Sequence, residues 1–127
     1  MGPTLQGEAG KPVKTTKSGL KYIVLDEGKG AKPKQGDTIS AEYTGYLTDG
    51  TKFDSSKDHG GQPLSFTVGI HQVIPGWDEA LLDMKVGERR KLIVPANLAY
   101  KDAPPPGSPI PPNATLVFEV KLVKIGS

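Results

Sequence analysis

Only one stretch of this sequence reads as an amphipathic helix, and it lies among segments whose apolar residues alternate with polar ones. Trp77, Ala80, Leu81 and Met84 fall three, one and three positions apart, a spacing that puts them on one helical face. Pro75 stands where a helix tolerates proline, in the first turn, where its missing N–H has no partner to lose. Asp78 and Glu79 lie near the positive end of the helix dipole and Lys85 near the negative end. Gly87 supplies a stop. The pattern predicts a helix over 75–86. A single short helix can bury its stripe only against another element, and the alternating segments supply a sheet. The expected class is α+β.

The strand signals are strong in two places. Ile39, Ala41, Tyr43 and Gly45 alternate with Ser40, Glu42 and Thr44, and Leu116, Phe118, Val120 and Leu122 alternate again near the end. Weaker segments are 22–25, the stretch through Phe53, the alternating Leu64, Phe66 and Val68, and 89–94. Asp49-Gly50 is a hairpin signal. Six prolines (104, 105, 106, 109, 111 and 112) crowd the connection before the last strand, which excludes helix and central strand there and predicts a stiff surface loop. Residues 1–18 are small, polar and charged with no apolar period, so they read as a flexible tail. Residues 19–127 then form one domain, in keeping with a chain of 127 residues.

Several functions are disfavoured by what the chain lacks. It has no cysteine, which removes thiolate and disulfide chemistry and leaves the compartment open. His59 and His71 are its only imidazoles and stand at no metal-motif spacing, so neither metal nor cofactor is expected. Asp54-Ser55 with a histidine invites a hydrolase reading, but no nucleophile elbow is present. The net charge is +2. The basic runs, Arg89-Arg90-Lys91 among them, read as solvated strand edges rather than a nucleic-acid face. No apolar run is long enough to span a membrane and no signal peptide is visible. A monomer is expected. What remains is a set of aromatic and aliphatic residues around the helix start, with one acid, Asp54, directly after Phe53. Taken alone, Trp77, Tyr43, Phe66 and Phe118 read most simply as sheet and helix core, and Asp54 as a turn cap.

Taken together, six segments carry more. Tyr43-Thr44-Gly45, Asp49-Gly50, Phe53-Asp54-Ser55-Ser56, Val73-Ile74-Pro75-Gly76-Trp77, Leu98-Ala99-Tyr100 and Ile110-Pro111-Pro112-Asn113-Ala114-Thr115-Leu116-Val117-Phe118 follow one another in an order and spacing that resembles the FKBP-type peptidyl-prolyl isomerases. The resemblance covers about 19–125. It implies a five-stranded antiparallel curved sheet wrapped around one short α-helix. It also implies an isomerase that rotates X–Pro bonds in folding proteins. Its substrates would be proline-containing peptides and unfolded or partly folded proteins, and macrolides such as rapamycin would be further ligands. The alternative is a non-catalytic chaperone module that binds the same ligands.

By the same resemblance, Trp77 forms the floor under the proline ring and Tyr43, Phe66 and Phe118 the aromatic walls. Phe53, Leu64, Val73 and Ile110 complete the substrate pocket. The Ile74 N–H and the Tyr100 hydroxyl would bond substrate carbonyls, and Asp54 would lie beside the carbonyl preceding proline. Three departures stand out: His59 where the family often has an arginine, Leu64 where an aromatic is usual, and a proline-rich loop after Tyr100 that is longer than usual. That loop could also serve as an SH3-type ligand, though a stiff flap over the pocket suits it better. The lead-in from Lys14 to Tyr22 is similar to that of bacterial members, many of them exported, which leans the expected location to the extracytoplasmic side.

Overall fold

The computed structural model describes residues 13–104 and 106–126, with the side chain of His59 left out. Seven strands form one antiparallel sheet: β1 (Lys14–Thr15), β2 (Lys21–Asp26), β3 (Thr38–Leu47), β4 (Lys52–Ser55), β5 (Leu64–Thr67), β6 (Arg89–Val94) and β7 (Leu116–Ile125). The order is β1-β2-β6-β7-β3-β4, with β5 also paired to β3. Among the described residues the single α-helix is α1 (Pro75–Asp83), accompanied by two 3-10 turns, Ser56–His59 and Ala96–Leu98.

The α+β class stands as the alternation implies, but the strand count is seven rather than five. Two features account for the difference. β1 extends the sheet edge beyond β2 by pairing Lys14 with Tyr22 and Thr15 with Lys21, within the stretch read as a tail. Residues 1–12 of that stretch lie outside the described residues. The edge of β3 opposite β7 is also shared: β5 pairs with Thr38–Ala41 and β4 with Thr44–Tyr46. The 3-10 turn at Ser56–His59 and the loop after it interrupt what would otherwise be one strand.

The helix ends at Asp83, three residues short of the expected 86. Met84 turns to extended backbone, and the Val86 N–H donates to the Ala31 carbonyl while the Gly30 N–H donates to the Val86 carbonyl. A loop passing underneath thus takes the polar groups that the rest of a third helical turn would have used. Gly28 lets it come that close, since a Cβ there would lie 2.5 Å from the Glu88 nitrogen.

Trp77, Ala80, Leu81 and Met84 all face the core, packed on Ile39, Ala41, Leu92, Val94, Leu116, Phe118, Val120 and Leu122. The basic run 89–91 is a correction to the sequence reading. Arg90 and Lys91 are buried, at 5% and 0% exposure. Alternate residues of a central strand face opposite sides of the sheet, and in β6 both sides are covered. Arg90 faces the helix, and Lys91 shares the other face with its cross-strand neighbours Ile23 and Glu119.

Candidate active site

The start of α1 is built to hold a ring system in place. No side chain caps it, and Pro75 occupies the first turn. The chain entering the helix is tied down from inside. The buried Asp78 accepts from the Gly69 N–H at 2.8 Å and the His71 N–H at 3.1 Å. Gly76 lies so near β6 that a Cβ would meet Val94 Cγ1 at 2.7 Å. Trp77, on the next position, therefore has little room to shift.

Three rings grip the indole. Tyr43 and Phe118 meet it edge-on, with centroids 5.1 and 5.3 Å away, and Phe66 lies tilted at 6.0 Å. Phe53 meets Phe118 edge-on at 5.6 Å. Such contacts add about 0.5–1.5 kcal/mol each beyond the burial of the rings. Gly45 makes the arrangement possible, because a Cβ there would stand 2.6 Å from Phe53 and 2.9 Å from Phe118.

Above the indole opens a cavity of about 330 Å³. Tyr43, Phe53, Asp54, Leu64, Val73, Ile74, Trp77, Tyr100 and Phe118, all expected at the site, line it together with Gln72. Two expected residues stand elsewhere. Phe66 packs against the indole from the core, and Ile110 is buried in the same core cluster. Neither lines the cavity. Gln72 was missed by the sequence reading, since a lone glutamine in a loop carries no periodic signal. His59, whose place in the loop distinguishes this chain, has its side chain outside the described residues.

Polar groups at the cavity fall into two sets. Asp54 is oriented by the protein: Oδ2 accepts from the Tyr43 hydroxyl at 2.7 Å and Oδ1 from the Ser55 N–H at 2.9 Å. Burial, then the bond to Asp54 and its charge, push the Tyr43 phenol well above its ordinary value, and burial with the Asp54 charge raises Tyr100 too. Both remain neutral hydroxyls through physiological pH. The second set is open. Among the described residues no group accepts from the Ile74 N–H, and none bonds the Tyr100 hydroxyl.

The serines beside Asp54 are committed to structure. Ser55 Oγ donates to the Tyr43 carbonyl at 3.1 Å and accepts from the Lys57 N–H at 3.2 Å, and Ser56 Oγ accepts from the Tyr43 N–H at 3.2 Å. Both are buried, which argues against the hydrolase reading. Among the described residues no three His, Asp or Glu side chains gather as a metal site.

The family model for FKBP-type peptidyl-prolyl cis-trans isomerases matches residues 29–123. The chain belongs to that family. It is 50% identical over 115 residues to a protein named as a probable FKBP-type peptidyl-prolyl cis-trans isomerase, FkpA, from Neisseria meningitidis, covering 91% of this chain and 41% of the relative. It is 51% identical over 108 residues to FK506-binding protein 1A of Neurospora crassa, covering 84% of this chain and 88% of that protein. The crystal structure of FkpA from Escherichia coli superposes with a TM-score of 0.81 at 48% identity, over 90% of this chain and 51% of that one. The chain thus spans under half the length of its Neisseria FKBP relative. The FKBP fold is shared. Among the described residues no helix is long and apolar enough to cross a membrane.

Proposed function

We propose that this chain accelerates cis–trans isomerisation of X–Pro bonds by binding the proline in the cavity over Trp77. The observation that carries the reading is the pairing of an apolar, aromatic-walled cavity with two unengaged donors, the Ile74 N–H and the Tyr100 hydroxyl. A peptide bound there brings the carbonyls those donors lack. The indole takes the pyrrolidine ring on its face, walled by Tyr43 and Phe118.

The chemistry follows from the amide itself. Rotation costs about 18–20 kcal/mol because planarity carries resonance between nitrogen and carbonyl. The twisted state has less charge on oxygen and a more pyramidal nitrogen. A cavity poor in polar groups disfavours the charge-separated planar form and so favours the twisted one. Each ~1.4 kcal/mol of that preference gives about a tenfold rate. No nucleophile, metal or proton transfer is needed. Asp54, fixed by Tyr43 and Ser55, stands beside the cavity as the one charged group among the described residues that line it, where it can sense the carbonyl carbon as the amide twists.

The substrates are proline-containing peptides and partly folded proteins, bound by a monomer, with macrolides such as rapamycin competing for the same cavity. We favour an extracytoplasmic location in a bacterium, on the likeness of the Lys14 to Tyr22 lead-in to that of bacterial members. The test is an isomerisation assay on a short proline peptide. The chain should accelerate it with little pH dependence from 6 to 9, because the two phenols stay protonated there. Trp77→Ala and Asp54→Ala should each lower kcat/KM about tenfold or more, one transition-state increment apiece. Unchanged rates in both variants would remove the site assignment. Rapamycin binding without any acceleration would leave a binding module in its place.

A further inference from the structure

Gln72 lies on the exposed rim of the cavity, in the connection between β5 and α1. Its two amide atoms can be told apart. The Thr67 N–H donates to one of them at 2.8 Å, so that atom must be the carbonyl oxygen Oε1. The Nε2 group therefore occupies the other terminal position and offers two donors and no acceptor. Among the described residues nothing accepts from it. The connection that carries Gln72 is braced independently: Asp78 holds the Gly69 and His71 N–H groups, and Gln35 Nε2 donates to the Gly69 carbonyl at 3.0 Å. A side chain on a braced backbone, with its acceptor half spent and its donor half open, is set up to read a ligand acceptor.

We propose that Gln72 is a specificity-determining residue, whose Nε2 donates a hydrogen bond to a main-chain carbonyl of the residue flanking the substrate proline. The proposal rests on the isomerase reading. Within that reading it adds a third donor, at the rim, to the Ile74 N–H and the Tyr100 hydroxyl. The rim position assigns it to the peptide outside the ring. It acts in binding planar and twisted amides alike, and so should appear in KM rather than kcat.

Gln72→Glu separates this role from loop bracing, because a carboxylate keeps the acceptor for the Thr67 N–H while removing both donors. Steady-state isomerisation of two proline tetrapeptides, one with neutral flanking residues and one with a flanking lysine, supplies the readout. For the neutral peptide, Gln72→Glu should raise KM about fivefold, the worth of one ordinary hydrogen bond, at unchanged kcat and unchanged Tm. The lysine peptide should lose less, since the new charge attracts it. Gln72→Met, which loses both functions, should raise KM by the same factor and also lower Tm. A Gln72→Glu enzyme with the wild-type KM for the neutral peptide overturns the proposal, as does a loss confined to kcat. If the wild-type chain itself fails to accelerate either peptide, the isomerase reading fails first. Wild-type activity with a silent Gln72→Glu sinks only the role of Gln72.

Discussion

The two ends of α1 rest on the same face of the same sheet and have opposite chemistry. At the N-terminal end, rings surround an open cavity, and the Ile74 N–H, the Tyr100 hydroxyl and the buried Trp77 Nε1 find no acceptor or partner among the described residues. At the C-terminal end, charge is dense and engaged. Arg90 stacks its guanidinium 4.3 Å from the Tyr22 ring centroid and bonds Glu88 through Nε. Through Nη2 it reaches the Asp83 carboxylate at 2.8 Å and the Asp83 carbonyl, an orphan of the last helical turn, at 3.3 Å. Glu88 in turn accepts from the Lys85 N–H at 3.1 Å. One end leaves polar groups unsatisfied, which lowers stability and leaves something for a ligand to do. The other satisfies them and holds the helix to the sheet. Open polar groups and stabilising contacts are thus divided between the ends of nine residues.

That division is broken most severely at Arg90. Replacing it by methionine strands Glu88 as a buried carboxylate and frees the helix terminus. The expected loss is about 3–5 kcal/mol in urea denaturation. Arg90→Met combined with Glu88→Gln should recover much of it, because the glutamine is neutral and still accepts from Lys85. The fraction that remains folded should isomerise proline peptides at the wild-type rate. A stable Arg90→Met protein, or a folded one without activity, would show that the two ends are not separate.

Gly45→Ala tests the other end. The added methyl must push Phe53 or Phe118, two walls of the cavity. Overpacking of this kind costs about 1–3 kcal/mol. Here the activity should fall more than the stability does, with ligand affinity dropping alongside, since displaced rings narrow the space over Trp77. Isothermal titration with a proline peptide beside a urea titration checks the order. Equal activity with lowered stability would mean that the walls are scaffold only.

The sequence reveals the two ends unequally, for a physical reason. Trp77, Phe118 and Tyr43 are legible because apolar residues at helical or strand period announce a buried face, and the six family-like segments then order them around one place. Of the residues expected there, Phe66 and Ile110 are buried in the core cluster rather than lining the cavity, a distinction that depends on side-chain direction and tertiary packing and not on spacing. Arg90 is illegible as a buried residue. Its burial depends on Tyr22, 68 positions earlier, and on Glu88 and Asp83 arriving beneath the same helix end. A basic run looks solvated until its partners are in place. The early helix stop at Asp83 has a similar origin, in hydrogen bonds from a loop 55 residues upstream that local propensity cannot report. Gln72 belongs to a third kind, a polar side chain whose meaning lies in which of its two ends is occupied.

The finest test of the division uses one carboxylate with two cations. Asp83 pairs with Arg90, whose side chain is 6% exposed, and with Lys32 at 3.3 Å, whose side chain is 51% exposed. Burial alone would raise the Asp83 pKa, but the Arg90 bond and charge, joined by Lys32, outweigh it and hold the carboxyl below its ordinary value. A depressed carboxylate contributes stability above its unfolded pKa, near 3.9, and loses it as the pH falls through the folded value. Lys32→Gln removes only the exposed partner, where water and salt already screen the charge. The expected change is about 0.5 kcal/mol or less at pH 7, shrinking further in 1 M salt, with no effect on isomerisation. As the pH falls through the depressed value of Asp83, the variant and the parent should converge. A loss for Lys32→Gln as large as that for Arg90→Met would place the stabilising charge at the surface, and the contrast between the buried and open ends of the helix would then have to be redrawn.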